Sequence, residues 1–168
     1  MFVPFDSLSP TSRIWIFQAN RPFSLDEQQL VEKALLEFTK GWAAHGSPLK
    51  TSFTLMYDQF IILAADETHE SPSGCSIDSS VRVLKSLEQD LGVRLFDRNL
   101  IAFKSDRGVD LIPLQDLKQK FQDGILNQGT LTFNNVVSTK SDLDHSWLAP
   151  AGKTWLKRYI PNELAKVK

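Results

Sequence analysis

LKTSFTLMYDQFIILAAD, residues 49–66, is the stretch whose reading decides the fold. Leu49, Thr51, Phe53, Leu55 and Tyr57 alternate with Lys50, Ser52, Thr54 and Met56. A period of two gives a strand with one apolar face. Asp58-Gln59 turns the chain, and Phe60 to Ala65 is then apolar without a break. A short continuous run of this kind marks a central strand covered on both sides.

Working outward, RIWIFQA (residues 13–19) is rich in aromatic and β-branched residues and predicts another strand, broken by Asn20-Arg21-Pro22. Ser24-Leu25-Asp26-Glu27 is a capping box. Leu30, Val31, Ala34, Leu35, Phe38 and Trp42 then follow helical spacing, predicting a helix that runs until Gly46. Beyond the polar loop ETHESPSG, a second helix is predicted with Ile77, Val81, Leu84, Leu87 and Leu91 in one stripe and Gly92 as its stop. LIAFKS (100–105) and VDLIP (109–113) flank Asp106-Arg107-Gly108 as a hairpin. Pro113 opens a short third helix through Leu114, Leu117 and Phe121. TLTFNNVV (130–137) reads as a further strand, and residues 140–159 as helical pieces interrupted at Pro150.

Residues 14–104 thus run β-α-β-β-α-β, the split-βαβ order of ferredoxin-like folds. The expected class is α+β: a ferredoxin-like core with an extra hairpin strand, helix, strand and helical C-terminal tail. The sheet should be mainly antiparallel, with both long helices on one face. No repeat or low-complexity linker divides the 168 residues, so one domain is expected, with an extended N-terminal arm at 1–12 and a tail at 161–168.

One cysteine cannot close an internal disulfide, which suits a reducing compartment. MFVPFDSLSPTSR lacks the basic and apolar regions of a signal peptide, and Phe60–Ala65, the longest apolar run, is far short of the ~20 residues that span a bilayer. A soluble cytoplasmic protein is expected. A net charge of −1 argues against nucleic acid as a partner. Charge is uneven, though. Asp58, Asp66, Glu67, Glu70 and Asp78 fall in a stretch without Lys or Arg, while Lys153, Lys157, Arg158, Lys166 and Lys168 face one acid, Glu163, after residue 150. Two solvated faces account for this; the sharper expectation is a basic tail docking on the acidic region.

Gly152-Lys153-Thr154 looks like the end of a phosphate-binding loop, and FIILAADE like a strand ending in the acids of an ATPase. The loop needs a glycine five residues before Gly152, where Trp147 stands, and Pro150 removes one of its amides. No P-loop ATPase is predicted.

SGCSIDSSVR (73–82) holds the lone cysteine where a loop enters a helix. Gly74 allows close backbone approach, and Ser76, Ser79 and Ser80 offer hydroxyls beside the free amides of a first turn. Asp78 competes with any anion there, and simple capping by serine and aspartate explains the same residues. The candidate ligand site is Asp66, Glu67, Gly74, Cys75, Ser76, Asp78, Ser79 and Arg82, with Arg82 holding an anionic group. Arg82 lies seven residues beyond Cys75, two helical turns along the same side.

Three functions follow. The first is a non-enzymatic domain binding a small anionic molecule or a protein at that site. The second is a thiol-dependent enzyme with Cys75 as nucleophile and His45 or His69 as base. His45 is expected at the end of the first helix, and His145 as an ordinary surface or packing histidine. The third is a homodimer or larger homo-oligomer with Trp147, Trp155 and Tyr159 in the contact. No His or Cys pair has ligand spacing, so no metal is expected, nor any cofactor, and no membrane contact.

SGCSIDSSVRVLKSLEQ, LFDRNLIAF, LTFNNVVSTKSDLDHSW and TWLKRY, as a set, resemble a family of small uncharacterised Bacteroidetes proteins often labelled "ABC transporter ATPase". The resemblance runs from Trp15 to about Tyr159. It implies a stand-alone cytosolic bacterial domain and supplies no activity, ligand or catalytic residue.

Overall fold

A computed structural model describes residues 1–162. The protein is α+β, and its chain divides into two compact units: Met1–Asp97 with Ser138–Asp142, and Arg98–Val137 with Leu143 onward. All strand pairing within its three sheets is antiparallel.

In the first unit, β1 (Arg13–Gln18), β4 (Lys50–Met56) and β5 (Phe60–Asp66) form a sheet in the order β1-β5-β4. As expected, β5 is central, and Phe60 through Ala65 are all completely buried. Ile62 pairs with Ile16 on one side and Thr54 on the other, so the interior backbone is paired along both edges. The β4–β5 turn takes one residue more than expected. Tyr57 and Asp58 both have φ of 54°, the left-handed pair that a twisted hairpin prefers, and Gln59 follows. Each non-glycine residue there costs ~1–2 kcal/mol. Hydrogen bonds from Phe23 N to Asp58 O (2.7 Å) and from Ala19 N to Gln59 O (2.8 Å) hold the turn, and the Gln59 amide returns one to Ala19 O at 3.0 Å.

The helices α1 (Leu25–Gly41) and α2 (Gly74–Leu91) pack together on one face of this sheet. Val31 and Leu35 of α1, Leu84, Leu87 and Leu91 of α2, and the alternate residues Ile61, Leu63 and Ala65 of β5 share one core. Fully burying a Leu or Ile side chain contributes about 1.5–3 kcal/mol. The capping box at Ser24 forms as read: Ser24 Oγ accepts from Glu27 N at 3.2 Å, and Glu27 Oε1 accepts from Ser24 N at 2.9 Å. Arg21 adds what the sequence did not disclose. Its guanidinium donates to both Glu27 oxygens at 2.8 Å and to Leu91 O, the end of α2, also at 2.8 Å.

The first helix is shorter than expected. It stops at Gly41, and Leu30 is exposed. β2 (Ala43–Ala44) and β3 (Ser47–Pro48) follow as a two-stranded hairpin. His45 (φ 51°) and Gly46 (φ 80°) form its turn, so His45 sits at a hairpin tip and not at a helix end. The N-terminal segment is tied to the sheet. Met1 O accepts from Thr51 N and Val3 N donates to Thr51 O, each at 2.9 Å, laying the chain along β4 before a 3₁₀ turn at Phe5–Ser7. On the other edge, Ile14 N donates to Ser138 O at 2.9 Å. Lys140, buried, donates through Nζ to Asp6 O and Leu8 O at 3.0 and 2.8 Å, tying the arm to this segment.

The last strand of the expected β-α-β-β-α-β order, β6 (Leu100–Ser105), pairs in the second unit's sheet. Its partner β7 (Gly108–Pro113) follows after a two-residue turn, and six residue pairs form with almost no loop to close. β8 (Leu131–Phe133) and β9 (Leu148–Pro150) complete the order β7-β6-β8-β9. The strand expected over 130–137 is thus only three residues long, and the expected helical tail contains a strand. After Pro113 a 3₁₀ turn leads into α3 (Leu117–Gln122), whose Leu117 and Phe121 are fully buried with Phe103 and Leu156. α4 (Lys140–Ser146) begins among residues of the first unit and continues into those of the second. Of the expected tail, residues 163–168 lie outside the described residues.

Glu27 connects this scaffold to pH. The Arg21 hydrogen bonds first, and then the Ser24 amide, hold its carboxyl at about 2 against an ordinary 4.5. A depressed carboxyl stabilises the fold above its unfolded value and loses that contribution as pH falls toward the folded one. Glu27→Gln is expected to lower the urea midpoint at pH 6, with the gap from wild type closing as pH falls from 4.5 to 2. A gap independent of pH would contradict the assignment.

Candidate functional site

The first turn of α2 is built by a serine cap. Ser73 stays extended and its Oγ accepts from Ser76 N at 3.1 Å. From there the buried stripe is Ser76, Ser80, Leu84, Leu87 and Leu91, while Ile77 and Val81 are only half-buried. The expected stripe is therefore displaced over its first two turns, and serines face inward where aliphatic residues were predicted. The cause is Trp42. Its buried indole Nε1 donates to Ser76 O at 2.8 Å. The ring lies 5.7 Å from Trp15 and 5.1 Å from Phe38. Small side chains leave room for the indole beside the helix backbone. Their hydroxyls are satisfied locally: Ser76 Oγ donates to Ser73 O at 2.8 Å and Ser80 Oγ to Ile77 O at 2.6 Å.

Cys75, Asp78, Ser79 and Arg82 lie on the opposite side of α2, at spacings of three, four and seven residues. Cys75, Asp78 and Arg82 are exposed and Ser79 is half-buried. Ser79 Oγ donates to Cys75 O at 2.9 Å, and Arg82 Nη2 donates to Ser79 Oγ at 3.2 Å. Among the described residues Arg82 makes no other hydrogen bond or ion pair, and Cys75 Sγ makes none. A thiol, a carboxylate and a guanidinium thus share one solvent-facing stripe, with the guanidinium largely uncommitted.

The remaining expected members are engaged elsewhere. Asp66, at the end of β5, accepts from Thr68 Oγ1 and from Thr68 N (2.9 Å), which together hold its carboxyl below the usual range. It shapes the loop. Glu67 faces Arg13 at 3.7 Å. Ser76 is turned into the core. Gly74 does not serve a close backbone approach: a Cβ there would meet nothing within 4 Å. Sequence spacing put Cys75, Asp78, Ser79 and Arg82 on one side; it did not show that Ser76 and Ser80 face inward beside Trp42, the residue that closes α1.

The glycine of the phosphate-loop lookalike has a packing cause. Gly152 lies in a 3₁₀ turn (Ala151–Lys153), where an added Cβ would come within 3.0 Å of Gln128 Cβ and 3.2 Å of its carbonyl oxygen. Thr154 caps the next 3₁₀ helix (Trp155–Tyr159), its Oγ1 accepting from Leu156 N at 3.2 Å. Trp147, expected in an oligomer contact, is buried instead, 5.0 Å from Phe133, with Nε1 donating to Asn135 Oδ1 at 2.9 Å. Trp155 is exposed and Tyr159 half-buried.

His69 and His145 are exposed. Lys153, Lys157 and Arg158 belong to the second unit and the acidic stretch to the first, while Lys166 and Lys168 fall outside the described residues. Among the described residues, no group of three or more His, Cys, Asp and Glu could hold a metal ion, and no helix is long and apolar enough to cross a membrane. No protein-family model, curated protein or solved structure matches this chain.

Two glycines separate packing from permissiveness. Gly74→Ala is expected to stabilise by about 0.5–1 kcal/mol, since open space meets the new methyl and glycine is the poorer helix residue. Gly152→Ala is expected to destabilise by about 1–3 kcal/mol through overpacking against Gln128. Urea unfolding of both variants checks the contrast, and equal effects would refute it.

Proposed function

We propose that this chain is a non-enzymatic binding domain whose partner is engaged by the outward stripe of α2, with Arg82 contacting a carboxylate or other anionic group. The observation that carries this is Arg82 itself: an exposed guanidinium with a single neutral hydrogen bond, to Ser79, and no ion pair among the described residues. Arginine's fork suits bidentate recognition of carboxylate or phosphate. Cys75 and Asp78 border the contact.

A binding role is favoured over thiol catalysis because Cys75 Sγ has no hydrogen-bonded base among the described residues. A nucleophile–base pair needs that reach. The proposal sets the protein in the bacterial cytoplasm as a soluble protein, in keeping with its single exposed thiol and the Bacteroidetes resemblance. The β1-β5-β4 order with two helices on one face supports a ferredoxin-like reading as far as α2, while β6, expected as the fourth strand, pairs in the other sheet.

Cys75 offers a direct test. Labelled with a benzophenone maleimide and irradiated in cell extract, the protein should form a discrete crosslinked species. Arg82→Ala should reduce its yield about tenfold, the scale of one charge-assisted hydrogen bond. The same label on a Cys75→Ser/Lys104→Cys variant should not form it. Unchanged yield with Arg82→Ala, or equal yield from position 104, removes the proposal. Loss of the folded state on Arg82→Ala, read by circular dichroism, would make Arg82 structural and remove it too.

A further inference from the structure

A cleft in the second unit is independent of the α2 stripe. It lies where α3 meets the C-terminal 3₁₀ helix, above a seam closed by the fully buried Leu117, Phe121 and Leu156. One step around α3 from the buried pair, Lys118 and Gln122 stand one turn apart. Facing them are Arg158, Tyr159, Ile160, Pro161 and Asn162, and the open cleft has a volume of about 370 Å³. Small-molecule sites run from about 300 to 1,000 Å³, so a compact metabolite is the right size.

Charge selects the class of ligand. Among the described residues, two cations line the cleft and no carboxylate does. Among the described residues, Lys118 has no hydrogen bond or ion pair, and Arg158 has only the Trp155 ring, 5.6 Å from its Cζ. Neither positive charge meets a carboxylate among the described residues. Beside them the surface is apolar: Tyr159 stands edge-on to Trp155 at 5.9 Å, followed by Ile160 and Pro161. An uncommitted pair of cations next to an aromatic and aliphatic wall matches an anion carried on an apolar body.

We infer that this cleft binds a small organic anion, a phosphate monoester or carboxylate on an aromatic or aliphatic body. Lys118 and Arg158 hold the anionic group, the Gln122 amide offers a neutral hydrogen bond, and Tyr159, Ile160 and Pro161 cover the body.

Phenyl phosphate and benzoate serve as probes, with phenol as the uncharged control, in ¹H–¹⁵N NMR titrations of the full chain. At least one anion is expected to shift the amides of Lys118, Gln122, Arg158 and Tyr159 saturably, while those of Cys75 and Ser79 stay still. Whichever anion binds more tightly identifies the preferred group. Phenol should bind at least tenfold more weakly, and Lys118→Ala and Arg158→Ala should each raise Kd at least fivefold. Both side chains are exposed, so the variants should keep the wild-type spectrum elsewhere. No saturable shift with either anion at millimolar concentration, equal binding of phenol, or an unchanged Kd in the double variant would overturn the inference.

Discussion

Six consecutive residues without exposed surface, Phe60 to Ala65, set the terms for the first unit. A strand that deep cannot leave backbone amides and carbonyls to water, since each unpaired group costs ~1–3 kcal/mol. β1 and β4 supply partners on either edge. Its alternate side chains, Ile61, Leu63 and Ala65, then require apolar cover, which α1 and α2 provide from one side. Arg21 fastens the start of α1 to the end of α2 while satisfying Glu27. The two long helices are therefore fixed by apolar burial at their middles and by a charged hydrogen-bonded node at one end.

That arrangement bears on which surface of α2 is open to solvent. Trp42 closes α1, and its indole needs an acceptor because a buried N–H without one is costly. It finds the Ser76 carbonyl. Ser76 and Ser80 face the core and bond their hydroxyls back to the helix. The outer side is left to Cys75, Asp78, Ser79 and Arg82. What looked like a cluster of hydroxyls around a thiol resolves into two sides with different tasks: one packs, and the other is open to solvent. The second unit repeats this division on a smaller scale. Leu117 and Phe121 close its core while Lys118 and Gln122 line a cleft.

Much was legible in the order of residues because some signals are local. The capping box at Ser24 needs only its own four residues, Gly92 ends α2 at a φ of 63°, and Phe60–Ala65 announces a central strand. Weaker local codes misled. Trp42 kept helical spacing but stands beyond the last helical residue, because the His45-Gly46 turn draws Ala43–Pro48 into a hairpin. Ile77 and Val81 kept helical spacing too, yet serines displaced them from the core. Hydrophobic periodicity registers apolar side chains; it does not register a carbonyl chosen as acceptor by an indole 34 residues away.

By itself, then, the sequence determined the α+β class, the central hairpin of β4 and β5, the two long helices and the candidate stretch at the start of α2, all of which follow from periodicity and caps within a few residues. Only tertiary structure decided that Leu100–Ser105 pairs in a second sheet, that Trp147 is core, that Gly152 packs against Gln128, and that Lys118 and Arg158 share a cleft. The physical reason is the same in each case. These outcomes depend on which distant surfaces meet, and contact between residues tens of positions apart leaves no periodic trace in the chain.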